Sequence, residues 1–405
     1  MAATARLVSV LQESQKAPRR NSSVAVLAIG TANPANCILQ EDYADWYFRV
    51  TKSDHLTALK NKMKRICDKS GVKKRYFHYT EETLAGRPEL FLDPTLPSLS
   101  ARLAISAAAI PELAAAAAAK AIAEWGRPAG DITHLVVSTN SSAQAPGADV
   151  RLAELLGLRP TVQRTLLYLH GCFGGCSALR LAMDIAGSNR GARVLVAVAE
   201  ATTVLSFRPP VDAHPDALVA AALFGDGAGA VIIGDDDSTG TNVERPIFYM
   251  VSASQGTLPG TEDTLSMRLQ EDGYDIGISV KAPAIVRDNI EGCVANMLAP
   301  LGLAGAGWNG LFWAVHPGGR AILDSCQDAF ALGPGKLAAS RHVLSEYGNM
   351  YGATIIFVMD EIRRRRQQDG ERKELDGRLG VMLGLGPGIS VETMVLRSAS
   401  GMEKK

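Results

Sequence analysis

Cys172 is the residue whose surroundings most clearly suggest chemistry, because it stands among glycines in the sequence Gly171-Cys-Phe-Gly-Gly175. An apolar run that ends at Leu169 precedes it and a helix-forming run follows, so the pattern predicts a strand, a tight turn and a helix. Such a turn pushes its apex side chain outward and directs free backbone N–H groups toward it. With a helix N-terminus and a protonated imidazole nearby, a thiol pKa of about 8.5 falls to roughly 3.5–7.5. We therefore predict a nucleophilic thiolate at Cys172, and ordinary structural roles for the other cysteines, which are Cys37, Cys67, Cys176, Cys293 and Cys326.

His316 is the best candidate for a general base among the seven histidines of the chain. It follows the apolar residues 311–315 and precedes Pro-Gly-Gly, so it marks the end of a strand, where α/β proteins commonly place their chemistry. His170 is the rival, because it stands so close to Cys172 in the sequence. It closes the predicted strand while Cys172 opens the helix, so the turn between them need not aim both side chains the same way. Surface or structural roles are expected for His55, His78, His134, His214 and His342.

Asn349 is a third candidate, in the stretch Glu346-Tyr-Gly-Asn-Met350. It precedes a predicted helix, and asparagine is a favoured helix N-cap, so a plain capping role and a catalytic amide are equally open. The order strand, helix, glycine turn and strand occurs twice along the chain, and Asn349 in the second pass corresponds to Cys172 in the first. We therefore expect the two helix ends that carry these residues to meet at one interface.

A basic segment, residues 52–75, carries nine Lys or Arg residues against Asp54 and Asp68. Within it Lys62, Arg65 and Lys69 recur at i, i+3 and i+7, which places them along one face of a helix. A local cationic face on a chain without net charge suits a phosphorylated ligand. A merely solvated helix face would give the same pattern, and the charges alone leave both interpretations open.

Strand-like and helix-like segments alternate throughout the chain, which indicates a layered α/β architecture. The repeated order of elements predicts two related halves, and we place their boundary near residue 245, giving halves 1–245 and 246–405. Two glycine turns, Gly225-Asp-Gly-Ala-Gly229 and Gly384-Leu-Gly-Pro-Gly388, lead into strands rather than helices, so no nicotinamide cofactor is expected. No second ligand pair accompanies Cys172 and Cys176, so no metal site is expected either.

The overall composition argues against several classes of function. The chain of 405 residues carries 42 Lys or Arg and 42 Asp or Glu residues, so no global field attracts nucleic acid or an anionic membrane. No uninterrupted run of about 18 apolar residues occurs, so no membrane insertion is expected. Six scattered cysteines without a secretion signal indicate a reducing, cytoplasmic location.

Together these segments resemble the plant type III polyketide synthases, which are the chalcone synthase-like enzymes of the thiolase fold. The resemblance covers almost the whole chain. It implies a homodimer of α/β subunits with the thiolase-like, five-layered αβαβα architecture and two duplicated halves. The motifs that carry it are Gly171-Cys-Phe-Gly-Gly175, Leu223-Phe-Gly-Asp-Gly227, Trp313-Ala-Val-His-Pro-Gly-Gly319, Arg341-His-Val-Leu-Ser-Glu-Tyr-Gly-Asn-Met350 and Gly384-Leu-Gly-Pro-Gly388.

The resemblance also implies a role for each candidate residue. Cysteine, histidine and asparagine would form a catalytic triad, and the cationic face would meet the phosphates of coenzyme A (CoA). These sets are Cys172, His316 and Asn349, and Lys62, Arg65 and Lys69. Phe224 would gate the way to the thiolate. The substrates would be an acyl-CoA starter, which the cysteine takes up, and malonyl-CoA, which extends it by decarboxylative condensation without a metal or a further cofactor.

The expected substrate pocket departs from the chalcone synthase pattern. Ala145 stands where the family commonly has a methionine that reaches across the dimer interface, and Asn140 replaces a threonine. Met267 replaces a glycine, Ile276 a second gating phenylalanine, and Tyr351 a serine. These changes favour a product other than chalcone, of the alkylresorcinol, alkylpyrone or curcuminoid type made by grass relatives, with chalcone or stilbene formation as the alternative. The expected pocket residues are Phe224, Asn140, Ser141, Ala145, Met267, Ile276 and Tyr351.

Two other classes of protein compete with this interpretation. A papain-like protease also uses Cys, His and Asn in that order, but it is expected to carry a secretion signal, disulfides and a cysteine near its mature N-terminus. A family member that has lost turnover could act as an interaction subunit, and the intact triad argues against that role.

Overall fold

Strands from both halves of the chain form the central sheet. The structure is a computed structural model that describes residues 23–93, 96–210, 215–235, 244–302, 307–368 and 377–399. Within these ranges the strands are β1 (Val24–Ala32), β2 (Asn36–Leu39), β3 (Lys74–Phe77), β4 (His134–Thr139), β5 (Gln163–Tyr168), β6 (Arg193–Glu200), β7 (Gly227–Asp235), β8 (Phe248–Thr257), β9 (Leu265–Gln270), β10 (Gly273–Ile278), β11 (Phe312–Val315), β12 (Leu379–Gly386) and β13 (Ser390–Ser398).

Helices cover both faces of this sheet. In the same part of the chain they are α1 (Gln40–Val50), α2 (Thr57–Lys69), α3 (Glu81–Gly86), α4 (Pro88–Phe91), α5 (Leu99–Trp125), α6 (Ala148–Leu155), α7 (Gly174–Ser188), α8 (Thr202–Ser206), α9 (Pro215–Leu223), α10 (Ala282–Leu298), α11 (Arg320–Ala329), α12 (Ala338–Tyr347) and α13 (Thr354–Gln368).

The described strands of the central sheet lie in the order β11-β12-β13-β8-β1-β7-β6-β4-β5. β4 runs parallel to β5 and β6, and β11 runs parallel to β12, whereas the other neighbours are antiparallel. The first and second halves of the chain meet where Val24 in β1 pairs with Met250 in β8. The boundary proposed near residue 245 falls in the connection between β7 and β8, and it stays a prediction.

The packing of side chains on this sheet produces five layers. In β6 the side chains of Val194 and Val196 face a central cluster with α7 and α13, while the intervening Leu195 faces an outer cluster with α5 and α6. In β12 Met382 faces the same central cluster, whereas Leu383 faces a second outer cluster with α10 and α11. Since successive side chains of a strand point to opposite faces, each half-sheet is covered on both sides. The layers therefore run helix, strand, helix, strand, helix.

The alanine-rich helix α5 lies in one outer layer and is long and apolar enough to span a membrane by length and composition alone. Its small residues instead allow a close approach to β1, where a Cβ atom on Gly30 would lie 2.2 Å from the carbonyl oxygen of Ala117. Nearly half of its most apolar stretch is buried inside the fold. It ends at Trp125 and is capped by Gly126, which has the left-handed φ of +75° typical of a helix C-terminus. α5 therefore packs as a core helix of this fold.

Candidate active site

Cys172 lies in a short turn between β5 and α7. The turn is a 3₁₀ segment, Gly171–Phe173, and α7 begins at Gly174, so the helix starts just after the cysteine rather than at it. Gly171 suits this turn because its φ is +62°, and a Cβ atom there would lie 2.3 Å from Cδ of Pro387. The predicted order of strand, tight turn and helix is confirmed, with Cys172 in the turn.

Asn349 occupies the corresponding turn in the second half of the chain. Its N–H donates to the carbonyl oxygen of Leu223 at 3.0 Å, and its own carbonyl oxygen accepts from the N–H of Gly225 at 3.0 Å. A 3₁₀ segment, Tyr351–Ala353, and then α13 follow, which is the order seen after Cys172. The two equivalent helix ends therefore meet, as the repeated order of elements predicted.

The carboxamide of Asn349 faces the sulfur of Cys172. Its Nδ2 lies 3.7 Å from Sγ and also donates to the carbonyl oxygen of Gly318 at 3.3 Å. Its Oδ1 accepts from the N–H of Tyr351 at 2.9 Å and lies 4.0 Å from Sγ, so the thiol can also donate to it. The side chain therefore supports the turn before the helix and faces the sulfur at the same time, and its catalytic role stays a prediction.

His316 is fully buried and directly follows β11. It approaches the Asn349 side of the site through Gly318, where an added Cβ atom would lie 3.7 Å from Cδ2 of His316 and whose carbonyl oxygen accepts from Asn349. Neither of its ring nitrogens has a hydrogen-bond partner among the described residues. A buried imidazole without a partner is unusual and calls for an explanation. Its ring nitrogens are available to bind a substrate atom or a proton. The rival His170 differs, because its Nδ1 lies 3.0 Å from the carbonyl oxygen of Tyr168 and is already engaged by the backbone.

Burial favours the uncharged forms of the thiol and the imidazole. It raises the pKa of Cys172 to about 12, an effect that the Asn349 amide opposes and the Glu200 carboxyl reinforces. It lowers the pKa of His316 to about 3. Burial of Cys172 therefore opposes the low thiol pKa that the sequence predicts. A thiolate at this position would require a proton acceptor within the site.

A cavity of about 650 Å³ connects Cys172 and Asn349 to the cationic face of α2. Lys62, Arg65 and Lys69 all line it, as the helical spacing predicted for one face. Arg320, at the start of α11, is a fourth cation that lines the cavity. The sequence did not indicate it, because Arg320 comes close to α2 only through the tertiary fold. No Asp or Glu residue is among the described residues that line this cavity. The cavity is therefore suited to a ligand with several negative charges at one end.

The inner end of the cavity has an apolar and aromatic wall. The rings of Phe224 and Tyr351 stack with their centroids 4.4 Å apart and an interplanar angle of 11°. Met267 and Ile276 are direct partners across the β9–β10 hairpin and line the same cavity. Four of the predicted pocket residues are thus brought together beside Cys172.

Asn140 and Ser141 do not line this cavity; they bind a buried carboxyl group that sequence reasoning missed. Glu200 accepts from Nδ2 of Asn140 at 2.7 Å and from Oγ of Ser141 at 3.0 Å. Burial raises the pKa of Glu200 to about 8, against the effect of these hydrogen bonds. Oδ1 of Asn140 also accepts from the N–H of Gly171 at 2.7 Å. Asn140 therefore positions the turn that carries Cys172.

Ala145 also lies outside this cavity. It is exposed in the connection between β4 and α6, and its peptide bond to Pro146 is cis. An exposed position is compatible with the expected place of this residue at a subunit interface, which stays a prediction.

Comparison with known families covers nearly the whole chain. Residues 11–237 match the N-terminal domain of the chalcone and stilbene synthases, and residues 249–400 match their C-terminal domain. The chain belongs to the chalcone and stilbene synthase family. It is therefore a type III polyketide synthase, an acyltransferase with the thiolase fold, and the family, fold and enzyme class predicted from the sequence are confirmed. The papain-like interpretation is excluded.

The name of one relative agrees with the prediction that the product is not chalcone. The chain is 55% identical over 392 residues to a bisdemethoxycurcumin synthase from Oryza sativa subsp. japonica. The aligned region covers 96% of this chain and 96% of the relative.

Proposed function

We propose that this enzyme loads an acyl group from a CoA thioester onto Cys172 and extends it with malonyl-CoA to a polyketide of the curcuminoid type. The observation that carries the proposal is the cavity itself, which has four cations at one end and the Cys172 sulfur, faced by the Asn349 amide, at the other. A CoA thioester has a matching arrangement of groups, because its negatively charged phosphates lie at one end and its reacting carbonyl lies at the other.

In the loading step the Cys172 proton passes to an unpartnered ring nitrogen of His316 as Sγ attacks the thioester carbonyl of the starter. The resulting thiolate and imidazolium carry opposite charges and stabilise each other, so the two groups ionise as a pair although burial disfavours each charge alone. The bond between the carbonyl carbon and the CoA sulfur then breaks. CoA takes the proton back from His316 and leaves as a thiol.

In the extension step malonyl-CoA loses carbon dioxide, and the electron pair of the broken C–C bond becomes an enolate of the thioester. The N–H groups of His316 and Asn349 donate to the enolate oxygen, so these two side chains supply the stabilisation and we propose no additional cofactor. The enolate carbon attacks the acyl carbonyl on Cys172. The bond between that carbonyl carbon and Sγ of Cys172 then breaks, and Sγ leaves as a thiolate. The chain, longer by two carbons, remains on CoA and can be loaded again.

Two observations favour a curcuminoid-type product over chalcone or stilbene formation. The relative with 55% identity is a bisdemethoxycurcumin synthase. The stacked rings of Phe224 and Tyr351 occupy space beside Cys172, where a long folded chain would have to lie before it cyclises. A pocket of this kind favours early release of a short chain and suits aryl and alkyl groups.

The test is an assay with malonyl-CoA and a set of starters that includes phenylpropanoid and long aliphatic CoA thioesters. Products are separated and identified by mass spectrometry. The proposal expects linear diketone products from phenylpropanoid starters. Chalcones, stilbenes, alkylresorcinols or alkylpyrones as the main products would contradict the product class, and no turnover with any starter would favour an interaction subunit instead.

The cationic end of the cavity leads to a prediction about CoA recognition. Arg65→Ala is expected to raise KM for malonyl-CoA roughly fivefold to tenfold with little change in kcat, because a phosphate contact made in both ground and transition states is lost. Lys64→Ala is the matched control, since Lys64 lies on the same helix but pairs with Asp45 at 2.8 Å. N-acetylcysteamine thioesters, which lack phosphates, should show no such difference. An equal rise in KM with both kinds of thioester would count against phosphate binding.

The aromatic wall leads to a prediction about product length. Tyr351→Ser removes the ring that stacks on Phe224, so longer or differently cyclised products are expected, together with a loss of roughly 3 kcal/mol in the free energy of unfolding. Tyr351→Phe keeps the ring and should keep the product profile. Liquid chromatography with mass spectrometry distinguishes these outcomes. An unchanged profile in the serine variant would show that Tyr351 does not limit the chain.

We also propose that the enzyme works as a homodimer in the cytoplasm. β5 is an edge strand of the central sheet, and Leu169, which directly follows it, is 48% exposed. Val150, near Ala145 in the sequence, is 42% exposed. An uncovered edge strand with apolar side chains beside it is a suitable surface for a second copy. Light scattering during gel filtration should report twice the mass of the 42.9 kDa chain.

A further inference from the structure

The hydroxyl group of Tyr351 is a buried polar atom without an explained role. Tyr351 is 2% exposed, and its hydroxyl has no hydrogen-bond partner among the described residues. Leaving a buried hydroxyl unpartnered is costly, so each such group calls for an explanation. Tyr351 also lines the cavity that contains Cys172. An apolar ring would fill the same space without that cost.

The ring is held firmly, so the hydroxyl does not simply swing away to solvent. The N–H of Tyr351 donates to Oδ1 of Asn349 at 2.9 Å, and its carbonyl oxygen accepts from Oγ1 of Thr354 at 2.8 Å. Its ring stacks on Phe224. Its φ is +48°, an uncommon value for a residue with a side chain, and these surrounding contacts maintain it. The backbone and the ring are therefore preorganised.

The hydroxyl is a neutral donor. Burial raises the pKa of Tyr351, and negative charge on Cys172, Glu200 or Asp226 would raise it further. The hydroxyl thus keeps its proton, and Tyr351 lines the same cavity and packs in the same apolar cluster as Cys172.

We infer that the Tyr351 hydroxyl donates a hydrogen bond to a carbonyl oxygen of the acyl group carried by Cys172. The inference rests on the proposed function, because it requires an acyl-cysteine. The hydroxyl transfers no proton. The acyl carbonyl supplies the acceptor that Tyr351 lacks among the described residues. This makes Tyr351 a catalytic residue in addition to a wall of the pocket.

The hydrogen bond from the Tyr351 hydroxyl to the acyl carbonyl becomes stronger as the reaction proceeds. When a thiolate or an enolate attacks the acyl carbonyl, negative charge develops on the carbonyl oxygen, and a fixed donor stabilises that charge more than it stabilises the ground state. Loading and condensation both pass through such a state at Cys172. Decarboxylation of malonyl-CoA develops its charge on a different oxygen, the one assigned to His316 and Asn349. The hydroxyl therefore assists two of the three steps.

Tyr351→Phe tests the inference, because it removes only the hydroxyl. Starter loading, followed by mass spectrometry of the acylated protein, and condensation should each slow by about 10- to 100-fold. Decarboxylation of malonyl-CoA without a starter should stay within about twofold of the wild type. The melting temperature should be equal or higher, since an unsatisfied buried group is gone. The carbonyl stretching frequency of the acylated cysteine should be higher in the variant, because its oxygen has lost a donor.

Three results would overturn the inference alone. Loading and condensation at wild-type rates would show that the hydroxyl does not bind the acyl carbonyl. A parallel loss of decarboxylation would show that Tyr351 acts by positioning Asn349. A clearly lower melting temperature would show that the hydroxyl has a partner within the protein. A wild-type enzyme that acquires no acyl group would overturn the proposed function and this inference together, whereas the other results leave the proposed function standing.

Discussion

Replacing Cys172 with alanine is expected to abolish starter loading and to lower product formation by more than about 10³-fold. Cys172 is the one cysteine among the described residues that line the cavity, and its sulfur faces the Asn349 amide. Without that sulfur no thioester forms on the protein, and the enolate has no acyl group to attack. Loading is measured by intact-protein mass spectrometry with a starter CoA alone, and product by liquid chromatography.

Cys176→Ala is the matched control for this experiment. Cys176 lies in the first turn of α7, but it is buried in the central cluster and is not among the described residues that line the cavity. The variant is expected to lose some stability and to load starter at nearly the wild-type rate. Both variants should show the circular dichroism of the wild type. Normal product yield from Cys172→Ala, or a failure to load in Cys176→Ala alone, would refute the assignment of the nucleophile.

Replacing Asn349 with aspartate is expected to slow decarboxylation of malonyl-CoA by roughly 10²- to 10³-fold. Aspartate retains an oxygen that can accept from the N–H of Tyr351, as Oδ1 does at 2.9 Å in the wild type. It lacks the Nδ2 donor and adds a negative charge where the enolate would form. The turn should therefore keep its shape while the stabilisation of the enolate is lost. Release of carbon dioxide from malonyl-CoA without a starter measures this step directly.

Asn349→Ala completes the comparison, because it removes both the donor and the acceptor. If the amide acts by donation, the two variants should lose decarboxylation to a similar extent. If Asn349 mattered only as a support for Tyr351, the aspartate variant would keep most of its activity and the alanine variant would lose it. That pattern would remove Asn349 from the chemistry and leave it a plain turn residue.

Much of this site could be predicted because its information is local in the sequence. Cys172 and Asn349 each precede a helix, and each half of the chain repeats the same order of elements, so their meeting follows from the duplication. Lys62, Arg65 and Lys69 could be placed on one side of α2 because helical periodicity decides which residues share a face. These features can be predicted without knowledge of the tertiary fold.

Other features depend on which distant segments come into contact. Asn140 was expected in the pocket wall, but Glu200, at the end of β6, draws its side chain into a buried network. The stack of Tyr351 on Phe224 joins residues far apart in the sequence. The pKa of Cys172 depends on burial, which no local pattern reports. The signal for Glu200 was an acidic residue closing an otherwise apolar strand, where a solvated carboxylate is unexpected.

In the proposed mechanism the sulfur of Cys172 carries the growing chain. The most direct test is rapid quenching of the enzyme with a starter CoA, followed by proteolysis and mass spectrometry of each cysteine-containing peptide. We predict that the acyl mass appears on the peptide with Cys172, on the sulfur itself, and that it disappears when malonyl-CoA is added and product forms. An acyl group found on any other residue, or product formed without any acylated peptide, would contradict the account.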